Sequence, residues 1–327
     1  MIRARGLTKT FRRKKDTIQA VDDVDVDVAE GELVAFLGPN GAGKSTTMRM
    51  LTSLLTPTSG TATVAGFDVV RDPDRVRAHI GYIGQGNGGG YSYKVRDELY
   101  NQGRFYGLPA RRYRSRAAEL IEALELGGLE KRGIQSLSGG QKRRLDVALG
   151  LMHEPPLLFL DEPTTGLDPH SRANLWEHIQ ELRRRTGMTI VLTTHYLDEA
   201  DKMAERVVVI DHGRIVADAS PGDLEREYAD DVITARVASP AVLDATEAAG
   251  LVRRALPPDI GAVDTEVSGD VVTVVIATTH GAERLPAALE AMRLAGLAVL
   301  SASLTQASLD DVFLNLTGRS LREEIAS

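Results

Sequence analysis

Gly38-Pro39-Asn40-Gly41-Ala42-Gly43-Lys44-Ser45-Thr46 decides the fold class of this chain. Gly38, Gly43, Lys44 and Ser45 match the pattern G-x-x-x-x-G-K-[ST]. Leu33-Val34-Ala35-Phe36-Leu37 before it reads as a buried strand, and residues 46–55 after it read as a helix. Strand, glycine loop and helix form the context in which this pattern means phosphate binding. Gly38, Gly41 and Gly43 let backbone N–H groups converge on a phosphate with no Cβ in the way. The following helix points its positive end at the same anion. Lys44 reaches the outer phosphates, and the Ser45 hydroxyl can ligate Mg²⁺.

Around this loop lies a chain of 327 residues, enough for about two domains. Hydrophobic residues make up 43% and charged residues 26%, so the chain can bury a sizeable core. A net charge of −7 argues against a general nucleic-acid binder, which carries a basic surface. With no cysteine, disulfides, cysteine–zinc modules and thiol catalysis are excluded. No apolar run approaches the ~18–20 residues that span a bilayer, and the basic start of the chain lacks the apolar core of a targeting peptide. Arg3, Arg5, Lys9, Arg12, Arg13, Lys14 and Lys15 are therefore expected on a strand and a solvated loop.

Residues 20–28 alternate apolar and acidic side chains in their second half, the mark of a half-buried strand. Residues 61–64 and 79–83 read as short strands, and residues 95–150 as mainly helical with breaks at 107–109 and 127–128. The runs 157–160, 189–194 and 206–210 alternate with helical segments, which predicts βα units and a mainly parallel sheet. Ligands of such sheets sit at the carboxyl ends of the strands. After about residue 226 the composition becomes rich in Ala and Val. Strands over 231–238 and 271–277 and helices over 240–249 and 281–294 predict a small α+β domain. The runs 111–116 and 183–185, dense in arginine, are expected to be solvated helix faces.

Two further motifs carry chemistry. Pro156-Leu157-Leu158-Phe159-Leu160-Asp161-Glu162 is an apolar strand ending in two carboxylates. Asp161 is placed to hold Mg²⁺ opposite Ser45, and Glu162 to polarise the water that attacks a γ-phosphate. Leu137-Ser138-Gly139-Gly140-Gln141 puts a hydroxyl and two Cβ-free N–H groups at a helix start, a second anion-binding surface.

In this order, residues 38–46, 137–141 and 157–162 resemble the nucleotide-binding subunit of an ATP-binding cassette (ABC) transporter. The resemblance implies an α/β, ABC-type P-loop NTPase domain over residues 1–226, with a RecA-like core, an antiparallel β-subdomain and a helical subdomain. It implies ATP as substrate and Mg²⁺ as cofactor. ATP would be bound by Gly38, Pro39, Asn40, Gly41, Ala42, Gly43, Lys44, Ser45 and Thr46, with Phe11 against the adenine. Mg²⁺ would be held by Ser45, Gln85 and Asp161, and Glu162 and His195 would be the catalytic groups. Ser138, Gly139, Gly140 and Gln141 would reach the ATP of a second copy, and Asp168 lies in the loop that crosses to it.

Residues 308–318 and 75–82 are also similar to the daunorubicin-resistance branch of drug exporters, which implies that residues 227–327 form that branch's C-terminal α+β domain. In that branch the ATPase is a separate chain. It pairs with an integral membrane permease of the ABC-2 type, as a homodimer at the cytoplasmic face of the membrane. One departure is the glycine-rich stretch Gly86-Asn87-Gly88-Gly89-Gly90 after Gln85, expected to order on docking. The rival readings are a soluble ABC ATPase acting on ribosomes or DNA, and an importer ATPase. One phosphate loop, no heptad run and no cysteine disfavour the first, and the tail disfavours the second.

Overall fold

The structure, a computed structural model, describes residues 1–13, 16–86, 93–238 and 245–318. The chain divides into two compact units, Met1–Pro221 and Gly222–Ser327.

The first unit opens with a long hairpin, β1 (Ile2–Arg13) against β2 (Asp16–Val28). Val24, Val26 and Val28 point inward and Asp23, Asp25 and Asp27 outward, as period-two alternation requires. β3 (Leu33–Leu37) is buried at every position, and the glycine loop joins it to α1 (Lys44–Leu51). α1 therefore starts two residues before the Thr46 expected from sequence. β4 (Ser59–Val64) and β5 (Phe67–Asp68) complete a four-stranded antiparallel sheet in the order β2-β1-β4-β5.

α2 (Pro73–Ala78) and β6 (Ile80–Ile83) lead into the helices α3 (Val95–Phe105), α4 (Ala110–Ala123) and α5 (Gly139–Gly150). Then follow β7 (Leu157–Asp161), α6 (Pro169–Thr186), β8 (Thr189–Thr194), α7 (Leu197–Met203), β9 (Arg206–Asp211), β10 (Arg214–Ala219) and α8 (Pro221–Tyr228). The six-stranded sheet runs β10-β9-β3-β8-β7-β6, parallel except for β10.

Register fixes the site. Leu37 pairs with Thr194, Asp161 with Thr193, and Ile83 with Leu160. The loops that leave β3, β6, β7 and β8 therefore emerge side by side at one end of the sheet. Leu7, Val21, Phe36, Met48 and Phe159 belong to one core shared by both sheets, so the hairpin and the glycine loop rest on a common apolar base.

Arg111, Arg112, Arg114, Arg184 and Arg185 are exposed, as expected of solvated helix faces, but Arg116 and Arg183 depart from that expectation. The Arg116 side chain is only 13% exposed and donates to the Leu151 carbonyl, and Arg183 donates to the Gly31 carbonyl and pairs with Glu205. Their long stems cover apolar surface while the guanidinium satisfies loop carbonyls.

In the second unit, which begins at Gly222 within α8, the order after that helix is β11 (Asp231–Ala238), α9 (Ala245–Ala255), β12 (Ala262–Ser268), β13 (Val271–Thr278), α10 (Gly281–Leu294), β14 (Ala298–Thr305) and α11 (Leu309–Thr317). The first six form a ferredoxin-like βαββαβ arrangement with antiparallel sheet order β12-β13-β11-β14. Ile233, Ala235, Val237, Val272, Val274 and Ile276 pack with Val252, Leu256, Ala288 and Met292. The helix expected over 240–249 runs instead from Ala245 to Ala255, and residues 239–244 lie outside the described residues. β12 and β14 were not expected. They are the two edge strands, and their acidic, small and half-exposed side chains hide the strand pattern. Ser308 and Asp311 cap α11 reciprocally, and Leu309, Val312 and Phe313 form its buried stripe.

Candidate active site

The glycine loop is built so that only glycine fits at its turn. Gly43 has φ 107°, and a Cβ there would lie 2.5 Å from the Ala20 carbonyl oxygen. Gly41 also has a positive φ, and Asn40 and Gly41 are exposed while Gly38, Pro39, Ala42 and Gly43 are buried. Lys44 is 4% exposed, and its ammonium donates to the carbonyls of Gly38 (2.6 Å) and Pro39 (2.9 Å). The cation is thus held at the mouth of the loop by backbone carbonyls of the loop itself. The first turn of α1 holds Lys44, Ser45 and Thr46 and no acidic side chain, so its positive end is open to an external anion.

Beside the loop sits an oxygen cluster. The Ser45 and Thr193 hydroxyls each donate to Asp161 Oδ1 at 2.7 Å. Gln85 Nε2 donates to Ser45 Oγ at 3.3 Å, and the Tyr82 hydroxyl donates to Asp161 Oδ2 at 3.4 Å. Asp161 is fully buried, at the tip of a strand with an apolar base. A hydroxyl, an amide and one carboxylate are hard oxygen donors of the kind Mg²⁺ takes with its waters and a phosphate. The residues present fit that ion.

Glu162 follows with φ 47°, an unusual value for a residue with a side chain. Its N–H donates to the carbonyl (3.2 Å) and hydroxyl (3.0 Å) of Thr193, which hold the turn. His195 Nδ1 lies 3.6 Å from Glu162 Oε2, beyond hydrogen-bond length, and Thr165 donates to the same oxygen at 3.2 Å. The neighbouring His195 holds the Glu162 carboxyl below the usual carboxylate range against the opposing effect of burial, with Lys44 adding to the depression. A base that stays ionised is thereby fixed next to an imidazole and close to the lysine.

Several site-building residues escaped the sequence reading. Arg143, 6% exposed on α5, donates from Nε to Pro163 O (2.6 Å) and from Nη1 to Gly84 O (2.8 Å). Nη2 reaches the carbonyls of Asp161 and Glu162 at 3.4 Å. One guanidinium therefore braces the loops of Gln85 and Glu162. Tyr82, Thr193 and Glu199 complete the support. Their only sequence signal is polarity at a strand end or on the buried face of a short helix.

The other predicted residues form local arrangements. Ser138 caps α5, with Ser138 and Gln141 bonded reciprocally, and Gly139 and Gly140 make the first turn. A Cβ on Gly140 would lie 2.8 Å from Ser171 Oγ, so glycine permits α6 to approach. Asp168 caps α6 through the Ser171 N–H at 3.0 Å and is exposed. Ser138, Gly140 and Gln141 line a polar cavity of about 240 Å³ with His170, Ser171 and Asn174. Phe11 lies on β1, 41% exposed, with the Lys9 ammonium 5.4 Å from its ring centre. Residues 87–92 of the glycine-rich stretch lie outside the described residues.

Residues 21–165 match the ABC transporter family model. Over 317 residues the chain is 41% identical to the daunorubicin/doxorubicin resistance ATP-binding protein DrrA of Streptomyces peucetius, covering 97% of this chain and 92% of that protein. The chain belongs to the ATP-binding subunits of ABC transporters. It is also 37% identical over 304 residues to the Nod factor export ATP-binding protein I of Paraburkholderia xenovorans, with 93% of each chain covered. A dimeric ATP-binding cassette solved in a post-hydrolysis state with ADP and Pi is 26% identical at TM-score 0.62, covering 67% of this chain and 98% of that one. As an ABC ATP-binding subunit the protein binds and hydrolyses ATP, and cassettes of this family dimerise and work with membrane permease components. Among the described residues no helix is long and apolar enough to cross a membrane.

Proposed function

We propose that this ABC subunit powers efflux of a drug or other lipophilic compound through a separate ABC-2-type permease, as a homodimer on the cytoplasmic face of the membrane. The observation that carries this reading is the likeness to DrrA across 97% of the chain, the C-terminal unit included, together with the export protein of Paraburkholderia. Residues 1–226 are assigned to the ATPase domain and 227–327 to the C-terminal domain of the drug-exporter type.

Within the site, Gly38, Asn40, Gly41, Ala42, Gly43, Ser45 and Thr46 present N–H groups to the phosphates of ATP, and Pro39, which has no N–H, shapes the loop around them. Lys44 exchanges its two loop carbonyls for phosphate oxygens. Ser45, Gln85 and Asp161 hold Mg²⁺, which neutralises charge on the outer phosphates when bound. Glu162 Oε2 accepts the proton of the attacking water, and His195 contacts the γ-phosphate and keeps Glu162 ionised. Phe11 stacks on the adenine. Ser138, Gly139, Gly140 and Gln141 of a second copy close on the same nucleotide, and Asp168 lies at the crossing between copies. ATP then favours association because it contacts both faces, and hydrolysis weakens it.

The test is to tag the Glu162→Gln chain in its own cell, trap it with ATP and identify what copurifies from detergent-solubilised membranes. A multi-span permease with no second ATPase is the expected result. Ribosomal or DNA-bound material from the soluble fraction, without a membrane protein, would overturn the export reading and leave the ATPase chemistry intact.

A further inference from the structure

Glu199 lies on α7, behind the site it helps to support, and is only 3% exposed. A buried carboxylate is costly unless its oxygens are satisfied. Here both are. The Thr164 hydroxyl donates to Oε1, and the Thr194 hydroxyl donates to Oε2 at 2.9 Å. Arg172 Nε stands 3.6 Å from Oε1, with its guanidinium 3.9 Å over the Tyr196 ring.

The placement of the two donors is what matters. Thr164 belongs to the loop that carries Glu162 at one end and Asp168 at the other. Thr194 is the last residue of β8, directly before His195, and its hydroxyl also accepts from the Tyr196 N–H at 2.9 Å. The Tyr196 ring in turn packs 4.2 Å from the His195 ring. One carboxylate therefore ties together, from behind, the two loops whose tips bring Glu162 and His195 to 3.6 Å.

We propose, on the roles given above to Glu162 and His195, that Glu199 is a positioning residue that holds the Glu162–Asp168 loop in register with His195. Buried, with both oxygens on threonine hydroxyls, it is not among the groups assigned to contact ATP or the attacking water. It sets the spacing of the two groups that do. Loss of this carboxylate leaves the glycine loop intact, because no part of the loop bonds to it, so ATP affinity and turnover are expected to separate.

The experiment uses the purified full chain with Mg²⁺ and ATP. Glu199→Ala is expected to lower kcat about 10–100-fold, the range seen when an orienting partner is removed. Binding of a fluorescent ATP analogue should change by no more than about twofold, within the error of an independent site. Thr164→Val should lower kcat in the native background and add no further loss to Glu199→Ala, since both changes remove the same bond. Glu199→Gln, close in shape, decides the matter if Glu199→Ala melts below the assay temperature. Its amide keeps one acceptor oxygen and offers the other hydroxyl a neutral N–H donor in place of a charged acceptor, so the ties weaken and an intermediate kcat is expected. Wild-type kcat in both Glu199 variants, or losses in kcat and ATP affinity of equal size, would overturn the proposal. Glu162→Gln and His195→Ala, measured alongside, separate the two failures. If either keeps wild-type turnover, the role assigned to that group is wrong and the tether falls with it. If both are inactive while the Glu199 variants turn over normally, only the tether is overturned.

Discussion

Replacing Arg143 with Leu removes a charged donor from four backbone carbonyls while keeping an apolar stem of similar length. Two of its bonds are short, at 2.6 Å to Pro163 O and 2.8 Å to Gly84 O. Hydrogen bonds to a charged partner are each worth about 1.5–3 kcal/mol. The two longer contacts, at 3.4 Å to Asp161 O and Glu162 O, are counted as nothing. The gross loss is then about 3–6 kcal/mol, reduced by the desolvation that the 6% exposed guanidinium no longer suffers. A net cost of about 3 kcal/mol lowers the melting temperature of a unit this size by roughly 6–12 °C. The change also frees Gly84 from the loop of Glu162, so kcat is expected to fall further than stability alone explains. The assay pairs a thermal melt of the full chain with steady-state ATP turnover well below the melt. Arg143→Lys keeps the charge but not the planar fork and should fall between. A melt within about 1 °C of the parent and unchanged turnover would refute the bracing role, since even one lost charged bond exceeds that shift.

Lys44→Ala removes the loop's cation and should abolish tight ATP binding; unchanged affinity in a titration with a fluorescent ATP analogue would remove Lys44 from the site. Ser138→Arg places a long cation on the surface offered to a second copy, so ATP-driven dimers should vanish in light scattering while monomer binding persists. Dimers that still form would contradict the two-copy site. Burial pushes His153 down to about 4 from its ordinary 6.5, with Tyr106 stacked on its ring at 3.7 Å. The unfolded chain then binds a proton that the folded chain refuses between these values. The stability due to neutral His153 is complete above pH 6.5 and is lost as pH falls toward 4. His153→Gln should flatten the decline of melting temperature in that window; parallel pH profiles would show that His153 is not the titrating group.

Legibility followed range. The glycine loop, the Asp161–Glu162 pair and the Ser138 turn are local patterns whose chemistry is carried by neighbouring residues, and each lies where its motif placed it along the chain. Arg143, Thr193 and Glu199 were not legible because their roles depend on partners far along the chain. Arg143 meets the carbonyl of Gly84 and Thr193 meets Asp161, contacts that only the sheet order creates. A buried arginine in a basic run looks like a solvated one until the carbonyls that surround it are known, and Arg116 and Arg183 misled in the same way. β12 and β14 were missed because edge strands with Asp264, Glu266 and small residues give little apolar alternation. β11 and β13, central in the same sheet, alternate buried apolar side chains with half-buried or exposed ones, a pattern legible in the sequence.

The most direct test of the account is turnover and assembly of Glu162→Gln with ATP and Mg²⁺. The carboxamide cannot accept the proton of the attacking water, and the phosphate contacts of the glycine loop are untouched. The account predicts a stable ATP-loaded dimer in size-exclusion light scattering, with hydrolysis near background. Wild-type turnover, or a chain that stays monomeric at saturating ATP, would contradict it.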